Sequence, residues 1–205
     1  ATTIAQLLKT AGYATGVFGK WHLGDAPEYR PGRRGFDESL IFLGGMIGEQ
    51  TKTDANDTNP VLLHNDQKER TAGFSTDVYF QQAAKWIGQA KGRSPFFAYI
   101  ATNAPHVPPT CPPEYERLYA DKTQDPMMAR YYGEVANIDD NLGRLMTQLR
   151  EWDLERNTLL IFASDNGAAV AKGAFKNESP SKVYNAGIRG GKGSPYQGGT
   201  RVPPW

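Results

Sequence analysis

The chain has 205 residues, 39% of them hydrophobic and 11% aromatic, which is ample for a packed core and too apolar for a disordered segment. Lys and Arg number 23 against 22 Asp and Glu, so overall charge gives no reason to expect nucleic acid or an acidic membrane as partner. Cys111 is the single cysteine, which excludes an internal disulfide and a zinc-finger spacing, and no apolar run approaches the roughly 20 residues of a membrane span.

Thr2 or Thr3 can cap a first helix in which Ile4, Leu7, Leu8 and Ala11 follow the i, i+3, i+4, i+7 spacing, with Gly12 as the stop. Tyr13 to Phe18 reads as a strand. From Gly24 to about Pro60 the chain is rich in Gly, Pro and charge, and a long irregular excursion is expected there. Ser75 or Thr76 opens a second helix with Phe80, Ala83, Ala84 and Ile87 on one face. Phe96 to Ile100 is an unalternating apolar run of the kind found in a strand covered on both faces.

Asp125 and Pro126 make a cap and first-turn pair, after which Met128, Tyr131, Val135, Ile138, Leu142, Leu145 and Leu149 alternate steps of three and four. Thr158 to Phe162 supplies a third strand, and the Gly, Ser and Lys-rich text beyond Gly167 reads as loop. Helices alternating with apolar strands imply an α/β fold, a largely parallel sheet flanked by helices. The chain opens inside a helix signal and stops at Val202-Pro203-Pro204-Trp205, so residues 1–205 are expected to be one partial domain, an internal fragment.

Three polar motifs each follow one of these apparent strands: Gly19-Lys20-Trp21-His22-Leu23-Gly24, Pro105-His106-Val107-Pro108 and Ser164-Asp165-Asn166-Gly167. In a parallel sheet ligands bind beyond the carboxyl ends of the strands, so the three would meet in one crevice. Lys20 and His22 lie two apart, on the same side of an extended chain, and a cation beside an imidazole suits an anionic substrate. His106 stands between two prolines that stiffen its loop, suited to aiming one imidazole or to packing in a turn.

Asp165 and Asn166 offer hard oxygen donors of the sort that hold calcium or magnesium, although Asn-Gly is also an ordinary turn signal. Lys192, within Arg189-Gly190-Gly191-Lys192-Gly193, is either a point charge for an anion or a solvated loop residue; it is not a Walker motif. Asp139-Asp140 falls beside the buried stripe of its helix and reads as a solvated face. Cys111 has no adjacent base and reads as a structural thiol, and His64 as a surface histidine.

Taken together, these residues resemble the sulfatase family of the alkaline-phosphatase-like superfamily. Gly12-Tyr13-Ala14-Thr15-Gly16-Val17-Phe18-Gly19-Lys20-Trp21-His22-Leu23-Gly24 is similar to the second sulfatase signature. Arg34-Gly35-Phe36-Asp37, Pro95-Phe96-Phe97, Ala104-Pro105-His106-Val107-Pro108, Asp139-Asp140-Asn141-Leu142-Gly143, Ser164-Asp165-Asn166-Gly167 and Gly198-Gly199-Thr200-Arg201-Val202-Pro203 follow in the family's order.

The resemblance implies a sulfuric ester hydrolase acting on a carbohydrate or aryl sulfate. It implies Asp165 and Asn166 as two ligands of a calcium ion, Lys20 and Lys192 on the sulfate oxygens, His106 with Lys192 at the leaving oxygen, and His22 as a later base. The family's nucleophile is a hydrated formylglycine made from Cys-x-Pro/Ala-x-Arg. That motif is not in this sequence: Cys111-Pro112-Pro113-Glu114-Tyr115 has Tyr where Arg is required. The isolated chain is therefore expected to be inactive, and its relatives point to a periplasmic or secreted location. The alternatives are a phosphodiester or phosphonate hydrolase of the same superfamily, a non-catalytic binder of sulfated glycans, and a chain in which each motif is structural.

Overall fold

The computed structural model describes residues 1–44, 57–168 and 187–201. Its centre is a five-stranded sheet in the order β4-β3-β2-β1-β5. The strands are β1 (Ala14–Lys20), β2 (Glu38–Phe42), β3 (Val61–His64), β4 (Gln67–Arg70) and β5 (Phe96–Ala101). β1 pairs in parallel with both β2 and β5, as an α/β chain requires, and the β3–β4 hairpin extends the sheet antiparallel beyond β2.

Two apolar layers cover the sheet. On one face Phe18, Leu40 and Leu62 pack under α2 (Ser75–Ala90) and α4 (Pro126–Glu151), whose contributions include Tyr79, Ala83, Trp86, Ile87, Leu145 and Leu149. On the other, Val17, Ile41, Trp21, Phe36 and Leu43 close against Ala5 of α1 (Ile4–Thr10). Thr3 caps α1 by accepting from the Gln6 N–H while the Gln6 side chain accepts from the Thr3 N–H, a reciprocal box whose loss costs about 1 kcal/mol. Asp125 caps α4 through the Met127 N–H at 2.9 Å, with Pro126 behind it.

Several expectations are corrected. The stretch from Gly24 to Pro60 is not wholly irregular, because it contains β2, whose short apolar core Leu40-Ile41-Phe42 lies between Gly- and Pro-rich flanks; residues 45–56 lie outside the described residues. Asn65 and Asp66 take left-handed φ angles of 47° and 69°, and they turn β3 into β4 as a two-residue hairpin. Ile4 and Leu7 of the expected α1 stripe are exposed, since the helix turns only Ala5 fully inward.

α4 spans the expected residues and buries Met128, Leu145 and Leu149 of the expected stripe, but its middle turns a different set inward. Val135 is exposed, whereas Glu134, Asn137 and Asn141 are buried, because the two amides donate to Asp77 of α2 at 2.9 and 2.6 Å. Thr158 to Phe162 is not a strand: it pairs with nothing among the described residues, and Leu159 and Ile161 are 85% and 67% exposed. Apolar periodicity reports where side chains could go, while a strand also needs a neighbour for its N–H and C=O groups. β5 is half-buried, pairing on one side with β1.

Candidate active site

Because β1 and β5 are parallel and adjacent, both deliver their next residues to the same end of the sheet. Gly19 is aligned with Ala101, so Lys20 and the Thr102–Thr110 loop leave side by side. The approach is close enough to demand glycine: Gly19 has φ +120°, and a Cβ there would lie 1.9 Å from the Ala101 carbonyl oxygen. Lys20 closes the strand, half-buried. The following Trp21 is buried with its indole Nε1–H donating to the Tyr29 carbonyl at 3.1 Å, while its backbone N–H still bonds Phe42.

His22 is exposed and left-handed, φ 50°, so the strand alternation that would align it with Lys20 stops at Trp21. Its N–H donates to the Leu43 carbonyl at 2.9 Å, which fixes the turn.

The His106 loop is held at both ends. Buried Asn103 accepts the His106 N–H on its carbonyl at 3.0 Å and the Tyr79 hydroxyl on its side chain at 2.8 Å. At the imidazole, Nδ1 lies 2.8 Å from the Val107 carbonyl. A carbonyl can only accept, so Nδ1 carries the proton and Nε2 is left as the exchangeable nitrogen.

Asp165 and Asn166 do not follow a strand, in contrast to the other two motifs, yet they are fixed from another quarter. The Ser164 hydroxyl donates to the Asn166 carbonyl at 2.7 Å and the Asn166 amide N–H donates to the Gly167 carbonyl at 3.1 Å. The Gly167 N–H then donates to Gly199 and the Lys192 N–H to Ala168, at 3.2 and 2.9 Å. The Lys192 segment, expected as loop throughout, is thus sewn onto the Asp165-Asn166 turn, with a short helix, α5 (Gln197–Thr200), behind it. Asp165 and Lys192 are exposed.

With its NH2 donating to Gly167, the Asn166 amide keeps its carbonyl oxygen for another partner, and the Asp165 carboxylate beside it is an anionic oxygen donor. Both suit calcium. Two ligands do not make a site, and among the described residues no cluster of three His, Cys, Asp or Glu that could hold a metal occurs.

The remaining candidates separate as their surroundings dictate. Asp139 and Asp140 are exposed, Asp140 accepting from the Tyr115 hydroxyl at 2.8 Å. The Cys111 thiol is pushed up to about 11, by burial first and then by the charges of Glu134 and Glu116, which makes it a poor nucleophile. His64 is no isolated surface residue: its ring nitrogens lie 2.7 Å from Glu38 and 2.6 Å from Glu69, tying β3 to both neighbouring strands. Residues 169–186 of the loop expected beyond Gly167, and Val202 and Pro203 of the last motif, lie outside the described residues.

These features define an α/β fold with a mostly parallel sheet flanked by helices, and solved structures agree. The chain superposes over its full length on Ps i-CgsB with a TM-score of 0.85 and 32% identity, and on Ps i-CgsB in complex with k-i-k-neocarrahexaose with 0.84 and 33%; it covers 46% of each. A Pseudoalteromonas sulfatase, PsFucS1, is alike in fold, with a TM-score of 0.72 over 98% of this chain and 43% of its own.

Residues 1–204 match the sulfatase family model, and the chain belongs to the sulfatase family. Among curated relatives, the Klebsiella aerogenes arylsulfatase is 30% identical over 87% of this chain and 50% of its own length. The N-acetylgalactosamine-6-sulfatase of Sus scrofa is 32% identical over 98% of this chain and 38% of its own. The chain thus spans half or less of the length of these relatives.

Proposed function

We propose that the chain supplies part of a single catalytic domain that hydrolyses a sulfate monoester, with a sulfated carbohydrate as substrate. The observation that carries this reading is the joining of the Asp165-Asn166 turn to the Lys192 loop through the Lys192–Ala168 hydrogen bond. It supports the reading because the backbone of a lysine is joined to a turn that carries two hard oxygen donors, and binding and polarising a small tetrahedral anion calls for such groups together. The β1–β5 alignment adds Lys20 and His106 at one sheet end.

In this proposal Lys20 and Lys192 meet the sulfate oxygens and stabilise the charge that builds on the transferring group. His106, its Nδ1 committed to Val107, passes a proton through Nε2 to the departing alcohol oxygen, with Lys192 alongside. His22, exposed at the same end, serves as a base when sulfate is later expelled. Asp165 and Asn166 would hold calcium together with ligands beyond those described, and calcium there would supply positive charge to the ester.

The sulfate acceptor of the family is a formylglycine. Cys111 is not its precursor on grounds of motif and of thiol acidity, so residues 1–205 by themselves are proposed not to turn over. Carbohydrate as substrate is supported by the names of the relatives, an N-acetylgalactosamine-6-sulfatase and a neocarrahexaose complex. Export to the periplasm or outside the cell is proposed on family grounds alone; among the described residues no helix is long and apolar enough to cross a membrane.

The test is release of inorganic sulfate from sugar sulfates by the complete gene product, with and without Asp165→Ala. Sulfate release that the variant loses, and that excess calcium does not restore, supports the assignment. An Asp165→Ala enzyme with unchanged activity and unchanged calcium dependence would remove Asp165 from the metal site. Cleavage of phosphate esters in place of sulfate esters would move the reading to phosphoryl transfer.

A further inference from the structure

The far end of the His106 loop rests on two carboxyl groups that the proposed chemistry does not use. Thr110 donates its backbone N–H to Glu134 Oε1 at 3.1 Å and its hydroxyl to Asp57 Oδ2 at 2.5 Å. Glu134 comes from α4. Asp57 is itself fastened to α2, since its carbonyl accepts the Ser75 N–H at 2.7 Å. The other end of the loop is held by Tyr79 of α2 through Asn103. One residue, Thr110, therefore fastens the loop to both helices that cover this face of the sheet.

Glu134 is only 3% exposed, and its Oε2 has no hydrogen-bond partner among the described residues. The titratable groups coupled to it are Asp57 from the segment before α2, Cys111 beyond the loop and Tyr131 of its own helix, while Glu116 of α3 (Pro113–Arg117) and Arg130 face Cys111. Arg130 is engaged with Glu116 at 3.2 Å, and Asp77 of α2 with Asn137 and Asn141. No cation in this set pairs with Glu134. Two carboxylates on one threonine, one of them buried, repel, and the lower-energy state is a neutral Glu134 beside an Asp57 carboxylate. In keeping with this, burial above all pushes the Glu134 carboxyl up to about 9, helped by the Asp57 charge and opposed by the Thr110 N–H. Burial also raises Asp57, against its bonds from Thr110 and Ser75.

We infer that Glu134 and Asp57 are positioning residues, one neutral and one ionised, that through Thr110 fasten the loop that presents His106. Deprotonation of Glu134 places like charges on either side of Thr110 and frees the end of the loop, so His106 is held in place at neutral pH and released in alkali. The functional side of this inference rests on the role proposed above for His106; the fastening itself does not.

The test is amide hydrogen exchange in the complete gene product, followed on the peptide spanning residues 103–111 and corrected for the intrinsic pH dependence of exchange. Wild type is expected to protect this peptide at pH 7 and to lose at least tenfold of that protection by pH 10, while the α2 peptides stay protected. Glu134→Gln, a neutral mimic of the protonated acid that still accepts from Thr110, is expected to protect the loop at both pH values. The inference is overturned by wild-type protection that is the same at pH 7 and pH 10, by a Gln variant unprotected at pH 7, or by one that loses protection in alkali as wild type does. If exchange behaves as expected and His106→Ala still releases sulfate at the wild-type rate, the fastening stands and the role given to His106 falls.

Discussion

The backbone N–H of Lys192 donates to the carbonyl of Ala168 at 2.9 Å, although 24 positions of sequence separate the two. The bond sets the lysine beside the Asp165-Asn166 turn, and it depends on a very close approach next door. A Cβ on Gly167 would lie 1.7 Å from the Gly198 carbonyl oxygen, which belongs to backbone that cannot swing away. Gly167→Ala is therefore expected to part the turn from the lysine loop and to lower sulfate release at least tenfold, while far-UV circular dichroism stays near wild type. Undiminished release would show that the two loops need not touch.

Gly19 makes the corresponding approach inside the sheet. With φ +120° and the Ala101 oxygen 1.9 Å from a would-be Cβ, Gly19→Ala combines backbone strain with a clash between β1 and β5. A loss of roughly 3 kcal/mol or more is expected in urea unfolding of the complete gene product. A midpoint unchanged from wild type would contradict the alignment of Gly19 with Ala101.

His64 links stability to pH. Burial lowers its pKa, but the bonds and charges of Glu38 and Glu69 outweigh burial, and the net shift is upward from 6.5. Below the unfolded value both states carry the proton and the ion pairs count in full; that contribution is lost as pH rises through the raised folded value. The ring is partly exposed, so after screening the effect is at most about 1 kcal/mol. The stability difference between wild type and His64→Gln should be larger at pH 5.5 than at pH 9. An equal or reversed difference would refute the pairing.

Much of the fold is legible in the residues. β1, α2 and α4 follow from apolar spacing together with the Asp125-Pro126 signal, and two of the three polar motifs lie at or beyond the ends of strands as expected. What could not be read depends on partners distant in sequence. The buried face of α4 is set by Asp77, some 60 residues away, which gives Asn137 and Asn141 a reason to turn inward that no periodicity contains. Asn65-Asp66 is a turn signal in plain view, but short strands flanked by charge, such as Gln67–Arg70, carry little apolar pattern.

The site divides in the same way. That β1 and β5 deliver the segments carrying Lys20 and His106 to one end of the sheet could be read from the strands themselves, because parallel pairing is a rule of the fold. The contact between Lys192 and the Asp165-Asn166 turn could not, since it is made by backbone groups of Ala168, Gly198 and Gly199, which carry no side-chain signature.

The most direct measurement is the rate of inorganic sulfate release from a sulfated sugar by the complete gene product, set beside Lys20→Ala and Lys192→Ala. If both lysines stabilise the transferring sulfate, each variant should lose roughly 10²-fold or more in kcat/KM, about 2.7 kcal/mol of transition-state stabilisation, while remaining folded. Sulfate release at near-wild-type rates from either folded variant would contradict the proposed site.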